Sequence, residues 1–467
     1  MGRRKLPFFE KITISDVGAE GKAIARIDDI VTFVSLVAPG DIVDLQVTKK
    51  RSRFMEARVT HIHQLSEKRE IPVCKHFGIC GGCKWQHLPY SDQLKYKHKQ
   101  VADALRRIGK VEMHELMPIL GSKESYFYRN KLEFAFSNKR WFTKKEIDSG
   151  LELKEMNGLG FHIPGHFDKV VDIEKCWLQA DPSNNIRNEI KIFAIENGLS
   201  FFNPKDHGGF MRNLIIRTSS SDGVMVILAF YGEDKRARES LLEHVKNKFP
   251  EISSLMYTIN TKGNDTLYDQ EILVYSGKDH IMEYLEDLKF KIGPKSFFQT
   301  NTKQALELYR TTLDFAGLSG NEIVYDLYAG TGTISIFMAR KAKKVIGIES
   351  VPEAITDARI NSEINGIRNT TFFTGDMKDL LTNDFFSEHG KPDVIITDPP
   401  RAGMHQKVVE TILEASPEKI VYVSCNPATQ ARDIELLSVK YKTVKSQPVD
   451  MFPQTHHVEN VVLLVRE

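Results

Sequence analysis

Three short motifs near the end of the chain place reactive side chains where they can do chemistry. Cys425 stands in Ser424-Cys425-Asn426-Pro427, Asp398 in Asp398-Pro399-Pro400-Arg401, and Glu459 in His457-Val458-Glu459. A thiolate can add to an electron-poor ring carbon and make the neighbouring carbon a nucleophile. A carboxylate can then take a proton so that the thiol is eliminated, and Glu459 is the carboxylate available for it. A lone cysteine is more often a small buried hydrophobe. Cys425 departs from that pattern because it ends a Val/Ile-rich run, 420–424, and is followed by a proline that constrains its turn. The two prolines after Asp398 hold that carboxylate at a fixed angle.

A second constellation lies upstream. Asp326-Leu327-Tyr328-Ala329-Gly330-Thr331-Gly332-Thr333 follows a strand-like run and opens a helix, and the next strand, 344–348, ends in Glu349. Glycines at a strand end let the backbone approach a nucleotide, and an acid after the second strand can bind a ribose diol. The third glycine of the dinucleotide fingerprint is missing, since position 335 is Ser. The loop therefore suits an adenosine without a pyrophosphate, such as S-adenosylmethionine. Asp376, in Thr374-Gly375-Asp376, is placed to meet the adenine, with a plain turn aspartate as the equal alternative.

The other four cysteines form a third group. Cys74, Cys80 and Cys83 are spaced C-x5-C-x2-C on a glycine-containing loop, and Cys176 lies far downstream. Three close thiolates closed by one distant thiolate suit a [4Fe–4S] cubane. A structural zinc usually takes two C-x2-C knuckles, and only one such pair is present. Zinc and idle reduced thiols remain the alternatives.

The elements that must position these groups are legible as three segments. Short β-rich runs at 12–14, 21–27, 30–34, 42–47 and 54–59, punctuated by Gly and Asp, predict a small OB-like β-barrel within 1–65. The cysteine loop and a basic helix over 91–108 follow. Mixed signals from 126 to 274 predict an α+β central domain, 66–292, carrying the cysteines. From 293 to 467, apolar runs at 323–327, 344–348, 371–373, 394–397, 420–424 and 461–465 alternate with helical stretches. That alternation predicts a Rossmann-like α/β sheet covered on both faces.

The composition adds exclusions. The 467 residues are 41% hydrophobic and 27% charged with a net charge of +2, the balance of a globular chain of several domains. No apolar run reaches the roughly 20 residues that span a bilayer. The start, Met1-Gly2-Arg3-Arg4-Lys5-Leu6, lacks a signal-peptide core and the Ser or Thr that myristoylation wants, so a cytoplasmic monomer without membrane contact is expected. Five cysteines are too few for an oxidised secreted scaffold. The clusters at 49–53 and 95–99 are either solvated basic faces or RNA contacts.

Taken together, these motifs resemble the RNA 5-methyluridine (uracil-C5) methyltransferases. The resemblance is carried by Phe297-Phe298-Gln299-x-Asn301, the glycine loop, Asp398-Pro399-Pro400-Arg401, Ser424-Cys425-Asn426-Pro427 and His457-Val458-Glu459. The first segment looks like a TRAM domain. With the four cysteines it points to the branch that acts on bacterial 23S ribosomal RNA (rRNA). The resemblance implies a S-adenosylmethionine site lined by Gln299, Tyr328, Thr333, Glu349, Asp376 and Asp398. It implies Cys425 as the nucleophile at uracil carbon 6, Glu459 as the proton acceptor, and Cys74, Cys80, Cys83 and Cys176 as holders of an iron–sulfur cluster. The cluster would be structural or RNA-positioning, because methyl transfer needs no electron. Tyr126-Phe127-Tyr128-Arg129-Asn130-Lys131 resembles a central-domain segment whose arginine contacts substrate, and some members carry Asn where Thr333 stands.

Three other readings compete. The T-loop uridine of transfer RNA (tRNA) is the nearest, opposed by the barrel and cysteines, which simpler tRNA members lack. An N-methyltransferase would carry an aromatic where Arg401 stands. A non-catalytic iron–sulfur RNA-binding protein would not need every motif intact.

Overall fold

The computed structural model describes residues 6–112, 115–150, 155–221 and 223–467. The basic start, 1–5, lies outside the described residues.

Each segment builds a main sheet, while Ile281–Leu285 and Leu288–Ile292 pair as a separate two-stranded one and Glu115–Leu116 joins the C-terminal sheet. The first is a six-stranded sheet in the order Phe8–Thr13, Ile42–Lys50, Phe54–Gln64, Ile30–Val34, Ala23–Ile27, Asp16–Val17. Alternation along Ala23–Ile27 and Ile42–Lys50 turns every second side chain inward. The inward residues Ala25, Val34, Val43, Leu45 and Met55 make a separate apolar core. One strand more than the sequence suggested appears at the edge, because Asp16–Val17 is too short to show a period.

The central sheet has seven strands, with Gly158–Ile163, Lys131–Ser137, Met211–Thr218 and Val224–Phe230 in its middle. Helices Ser183–Glu196 and Lys235–Lys248 pack Ile186, Ile190, Leu241 and Val245 into the same core as its strands. Val224–Phe230 is buried at every position, which explains its unbroken apolar sequence.

The last sheet has eight strands in the order Thr370–Thr374, Lys344–Glu349, Ile323–Leu327, Val394–Thr397, Lys419–Ser424, Glu459–Arg466, Tyr441–Val449, Glu115–Leu116. The first five run parallel, and Glu459–Arg466 then enters antiparallel to Lys419–Ser424. Strand order reverses between Ile323–Leu327 and Val394–Thr397, and such a switch point opens a crevice at the carboxyl ends.

Two strands of this sheet, Tyr441–Val449 and Glu115–Leu116, and the placing of one helix against it are not read from sequence. Tyr441–Val449 carries Lys442, Lys445, Ser446 and Gln447, which mask its strand character. The helix Tyr90–Arg107, expected within the central segment, buries Val101, Ala104 and Leu105 with Tyr325, Ile346, Ala431 and Ile434 of the C-terminal unit. Its Lys97 is fully buried and pairs with buried Asp450 at 2.5 Å, also donating to the Phe452 carbonyl at 3.0 Å. Tyr90 Oη donates to the same carboxylate at 2.8 Å. Among the described residues, no helix is long and apolar enough to cross a membrane.

Removing one member of a buried ion pair strands the other charge, at roughly 3–5 kcal/mol. Lys97→Met is expected to lower the free energy of urea unfolding by about that much, and adding Asp450→Asn should recover part of it. A loss below about 1 kcal/mol would mean that the pair does not hold the helix in place.

Candidate active site

The crevice at the switch point is built by the glycine loop. Gly332 has φ +78°, and a Cβ there would lie 2.9 Å from Ala358 Cβ and 3.2 Å from the Phe372 ring, so only glycine fits. Tyr328 also takes a left-handed φ of +66°, an unusual conformation for a non-glycine residue. Glu349, at its strand end, accepts from Gly330 N at 3.1 Å and from Val351 N at 3.0 Å, which ties the two strand ends together. Thr331 Oγ1 donates to the Phe297 carbonyl at 3.1 Å, fastening the segment that carries half-buried Gln299 against the loop. Asn301 then caps helix Thr302–Ala316 by accepting from Gln304 N. Tyr309 of that helix lies 3.4 Å from Thr333 through the two hydroxyls.

Asp376 is exposed and caps helix Met377–Leu380, accepting from Lys378 N and pairing with Lys378 Nζ at 2.8 Å. These contacts hold its carboxylate below the usual range. Its charge still reaches Tyr328, whose hydroxyl is pushed up to about 12 by burial and then by Asp376, Asp433 and Glu349. Gln299, Tyr328, Thr333, Glu349 and Asp376 thus lie around one strand edge.

The reactive groups meet through strand register. Ser424 pairs with Asn460 across antiparallel strands, so Cys425 is set opposite Glu459. Asp398 lies at the end of the neighbouring parallel strand, Val394–Thr397. Burial drives the carboxyls of Asp398 and Glu459 upward, and each is raised further by a carboxylate neighbour, Asp326 for Asp398 and Asp398 for Glu459. Asp326 itself is buried, accepts from Ser335 Oγ at 2.5 Å, and leaves Oδ1 without a partner. Burial, followed by the charges of Glu459 and Asp398, pushes the Cys425 thiol up to about 11, while Arg401 acts in the opposite sense.

The loops that carry these groups are tied together. Asn426 Nδ2 donates to the Arg401 carbonyl at 3.0 Å, and Thr429 Oγ1 to the same oxygen at 3.1 Å. Asn426 also caps helix Pro427–Leu437, with Pro427 in the first turn. Arg401 Nη2 donates to His457 Nδ1 at 2.9 Å. Cys425, Arg401 and His457 line a cleft of about 1250 Å³, whose other walls are the N-terminal sheet and helix Tyr90–Arg107. Lys84, Lys99, Arg107 and Arg26 contribute cations to it, and Phe33 and Tyr96 aromatic rings. The sequence reading gave no role to His456 or to the Arg401–His457 contact. The adjacent histidine pair ahead of Glu459 was the available signal.

The four remaining cysteines come from two segments. Cys83 and Cys176 are buried, and Cys74 and Cys80 half-buried. Burial raises all four thiols, Cys74 to about 11 and Cys83 to about 12. The charges of Cys80, Cys176 and Cys74 add to the shift at Cys83, which places the four near one another. Gly81 permits this approach: a Cβ there would lie 2.5 Å from Pro164 of the hairpin that leads to Cys176. Among the described residues, no three His, Cys, Asp or Glu side chains are gathered as the ligands of a metal ion.

Comparison with known proteins matches this layout. Residues 269–467 match the tRNA (Uracil-5-)-methyltransferase family model, and residues 10–60 match the TRAM domain. An uncharacterized RNA methyltransferase of Bacteroides thetaiotaomicron is 58% identical over 451 residues, covering 96% of this chain and 99% of that protein. An uncharacterized RNA methyltransferase of Chlorobaculum tepidum is 42% identical, covering 98% and 96%. The crystal structure of Pyrococcus abyssi tRNA (uracil-54, C5)-methyltransferase with S-adenosyl-L-homocysteine superposes with a TM-score of 0.75 at 29% identity, covering 97% of this chain and 100% of that one.

With a thiol raised to about 11, the reactive thiolate is scarce at neutral pH and grows about tenfold per pH unit. Alkylation of Cys425 by iodoacetamide, mapped by peptide mass spectrometry, should therefore climb steadily from pH 7 to pH 9. A plateau already reached at pH 8 would show an activated thiol in the free protein and contradict this electrostatic picture.

Proposed function

The chain belongs to the S-adenosylmethionine-dependent RNA (uracil-C5) methyltransferase family, and from that premise we propose that it forms 5-methyluridine in 23S rRNA with Cys425 as covalent nucleophile and Glu459 as proton acceptor. The observation that carries the reading is the register that sets Cys425 opposite Glu459, with Asp398 beside them at the switch point.

Carbon 5 of uracil is a poor nucleophile until a thiolate adds at carbon 6 and converts the ring to an enolate. Cys425 makes that bond, and the Arg401 guanidinium opposes the charge of the two carboxylates beside it. Bound S-adenosylmethionine would supply an electrophilic methyl group to carbon 5. Glu459 then takes the proton left on carbon 5, the ring double bond re-forms, and the bond to Cys425 Sγ breaks. A carboxyl raised toward neutrality is a stronger base than a free one, which suits that step. Gln299, Tyr328, Thr333, Glu349, Asp376 and Asp398 would line the cofactor site. The glycine-only approach at Gly332 and the strand-end carboxylate of Glu349 fit an adenosine ribose.

The base must leave its stack to reach Cys425, at a cost of about a few kcal/mol. The cations and rings along the cleft suit a single strand entering between the N-terminal sheet and helix Tyr90–Arg107. A tRNA T-loop is the second reading, favoured by one observation. The Pyrococcus protein, whose name specifies uracil 54 of tRNA, aligns over its whole length, N-terminal sheet included. Possession of that sheet therefore does not separate the two substrates.

Cys74, Cys80, Cys83 and Cys176 would hold a [4Fe–4S] cluster, which would supply a rigid crosslink between the loop and the segment before helix Ser183–Glu196. Four neighbouring thiols, two buried and two half-buried, with no other assigned work support this. Protein purified without air should carry about four irons and four sulfides per chain, lost together in Cys80→Ser. One zinc per chain would replace the cluster with a structural ion.

The function is tested by trapping. Fluorine at carbon 5 cannot leave as a proton, so 5-fluorouridine-substituted RNA should stay bonded to Cys425 in the presence of S-adenosylmethionine. An adduct with 23S fragments, mapped to Cys425 by mass spectrometry, is the expected result. An adduct with the T-loop alone would transfer the substrate to tRNA, and no adduct with either would sink the covalent mechanism.

A further inference from the structure

Arg401 acts on the Cys425 thiol, yet it lies on the exposed wall of the cleft, where a long side chain has many places to go. What fixes it is a histidine. Arg401 Nη2 donates to His457 Nδ1 at 2.9 Å, which requires a neutral ring protonated at Nε2. Burial and the surrounding cations Arg401, Lys97, Lys84 and Arg129 keep His457 neutral, pushing it down to about 4.

His457 is itself held from behind. Its ring lies on His456, with centroids 4.0 Å apart, and meets the edge of Phe452 at 6.3 Å. His456 is pressed by the N-terminal sheet: Gly21, with φ +73°, lies so close that a Cβ would sit 3.0 Å from His456 Cβ. That turn is anchored independently, since Trp85 Nε1 donates to the Gly21 carbonyl at 3.3 Å and Lys84 Nζ to the Glu20 carbonyl at 3.4 Å. The backbone amides of Lys84 and Trp85 donate to the Gln454 carbonyl at 2.9 and 3.1 Å, so one short segment grips both sides.

We propose that His457 is a positioning residue that fixes the Arg401 guanidinium beside Cys425, and that the N-terminal sheet sets its place by pressing Gly21 on His456. The inference rests on the proposed function for its catalytic meaning, but its physical content is the state of one thiol. Strand Ala23–Ile27 and the turn before it face the cleft proposed to take RNA, so engagement of the sheet and activation of the nucleophile share one chain of contacts.

Three variants of the full chain test this: His457→Phe keeps a ring without an acceptor, His457→Asn restores an acceptor without the ring, and Gly21→Ala disturbs the contact from the far side. Two readouts are taken, the pH profile of Cys425 alkylation without RNA and single-turnover methylation against RNA concentration. His457→Phe is expected to slow alkylation at pH 8 about tenfold and the methylation rate similarly, with RNA KM unchanged within about twofold. His457→Asn should recover most of both, and Gly21→Ala should show a smaller loss of the same kind. A wild-type alkylation profile in His457→Phe, or equal loss in Phe and Asn variants, would overturn the proposal. Should His457→Phe not fold, an unchanged profile in Gly21→Ala would overturn it alone. Wild-type protein that traps no 5-fluorouridine RNA would refute the methylation reading, while the alkylation comparison would still decide this one.

Discussion

Much of this molecule depends on a lysine and an aspartate with no exposed side-chain surface. Lys97 and Asp450 lie 353 residues apart in sequence and 2.5 Å apart in space. Desolvating two charges is expensive, and the cost is offset only where both find further partners. Here Lys97 also meets the Phe452 carbonyl, and Asp450 also accepts from Tyr90 and from Phe452 N. Beside them, Gln93 Nε2 donates to Gln454 Oε1 at 3.0 Å, and its Oε1 accepts from Gln454 N at 2.9 Å. Helix Tyr90–Arg107 therefore fixes the turn between the last two sheet strands. That turn leads directly into His456, His457 and Glu459. The cysteine loop, which ends where this helix begins, is placed by the same contacts.

Around the switch point the chain accepts an electrostatic cost. Asp398 and Glu459 are raised first by burial and then by a neighbouring carboxylate, Asp326 for the one and Asp398 for the other. In a stable core such a cluster would be a defect, since like charges in a poorly solvated site oppose one another's ionisation. For the proposed proton transfer it is useful, because burial and that repulsion together lift a carboxyl toward neutral pH. The Cys425 thiol is raised by burial first and then by Glu459 and Asp398, and Arg401 acts against that rise.

The family resemblance was legible because its motifs lie at strand ends, and strand ends can be counted. Continuous Val and Ile runs marked the strands; Asp398 and Cys425 each follow a parallel one, and Glu459 opens the antiparallel strand beside them. The strand Tyr441–Val449 was missed because it carries polar side chains along an apolar register. Asp376 was open to two readings, and the structure shows the cap while leaving its charge in reach of Tyr328. The four cysteines showed their spacing in sequence, and the fold adds that they lie within reach of one another's charge.

Sequence by itself determined the classes of segment, the glycine loop, and the motifs that carry Asp398, Cys425 and Glu459. These are local properties, set by side-chain period and by the few residues that permit a turn. Only the tertiary structure decided that helix Tyr90–Arg107 belongs to the C-terminal core, that Cys425 and Glu459 face each other, and that Gly21 of the first sheet leans on His456. Each of those joins residues far apart in the chain. Register, burial and contact across such separations are properties of packing between elements, and no local pattern encodes them.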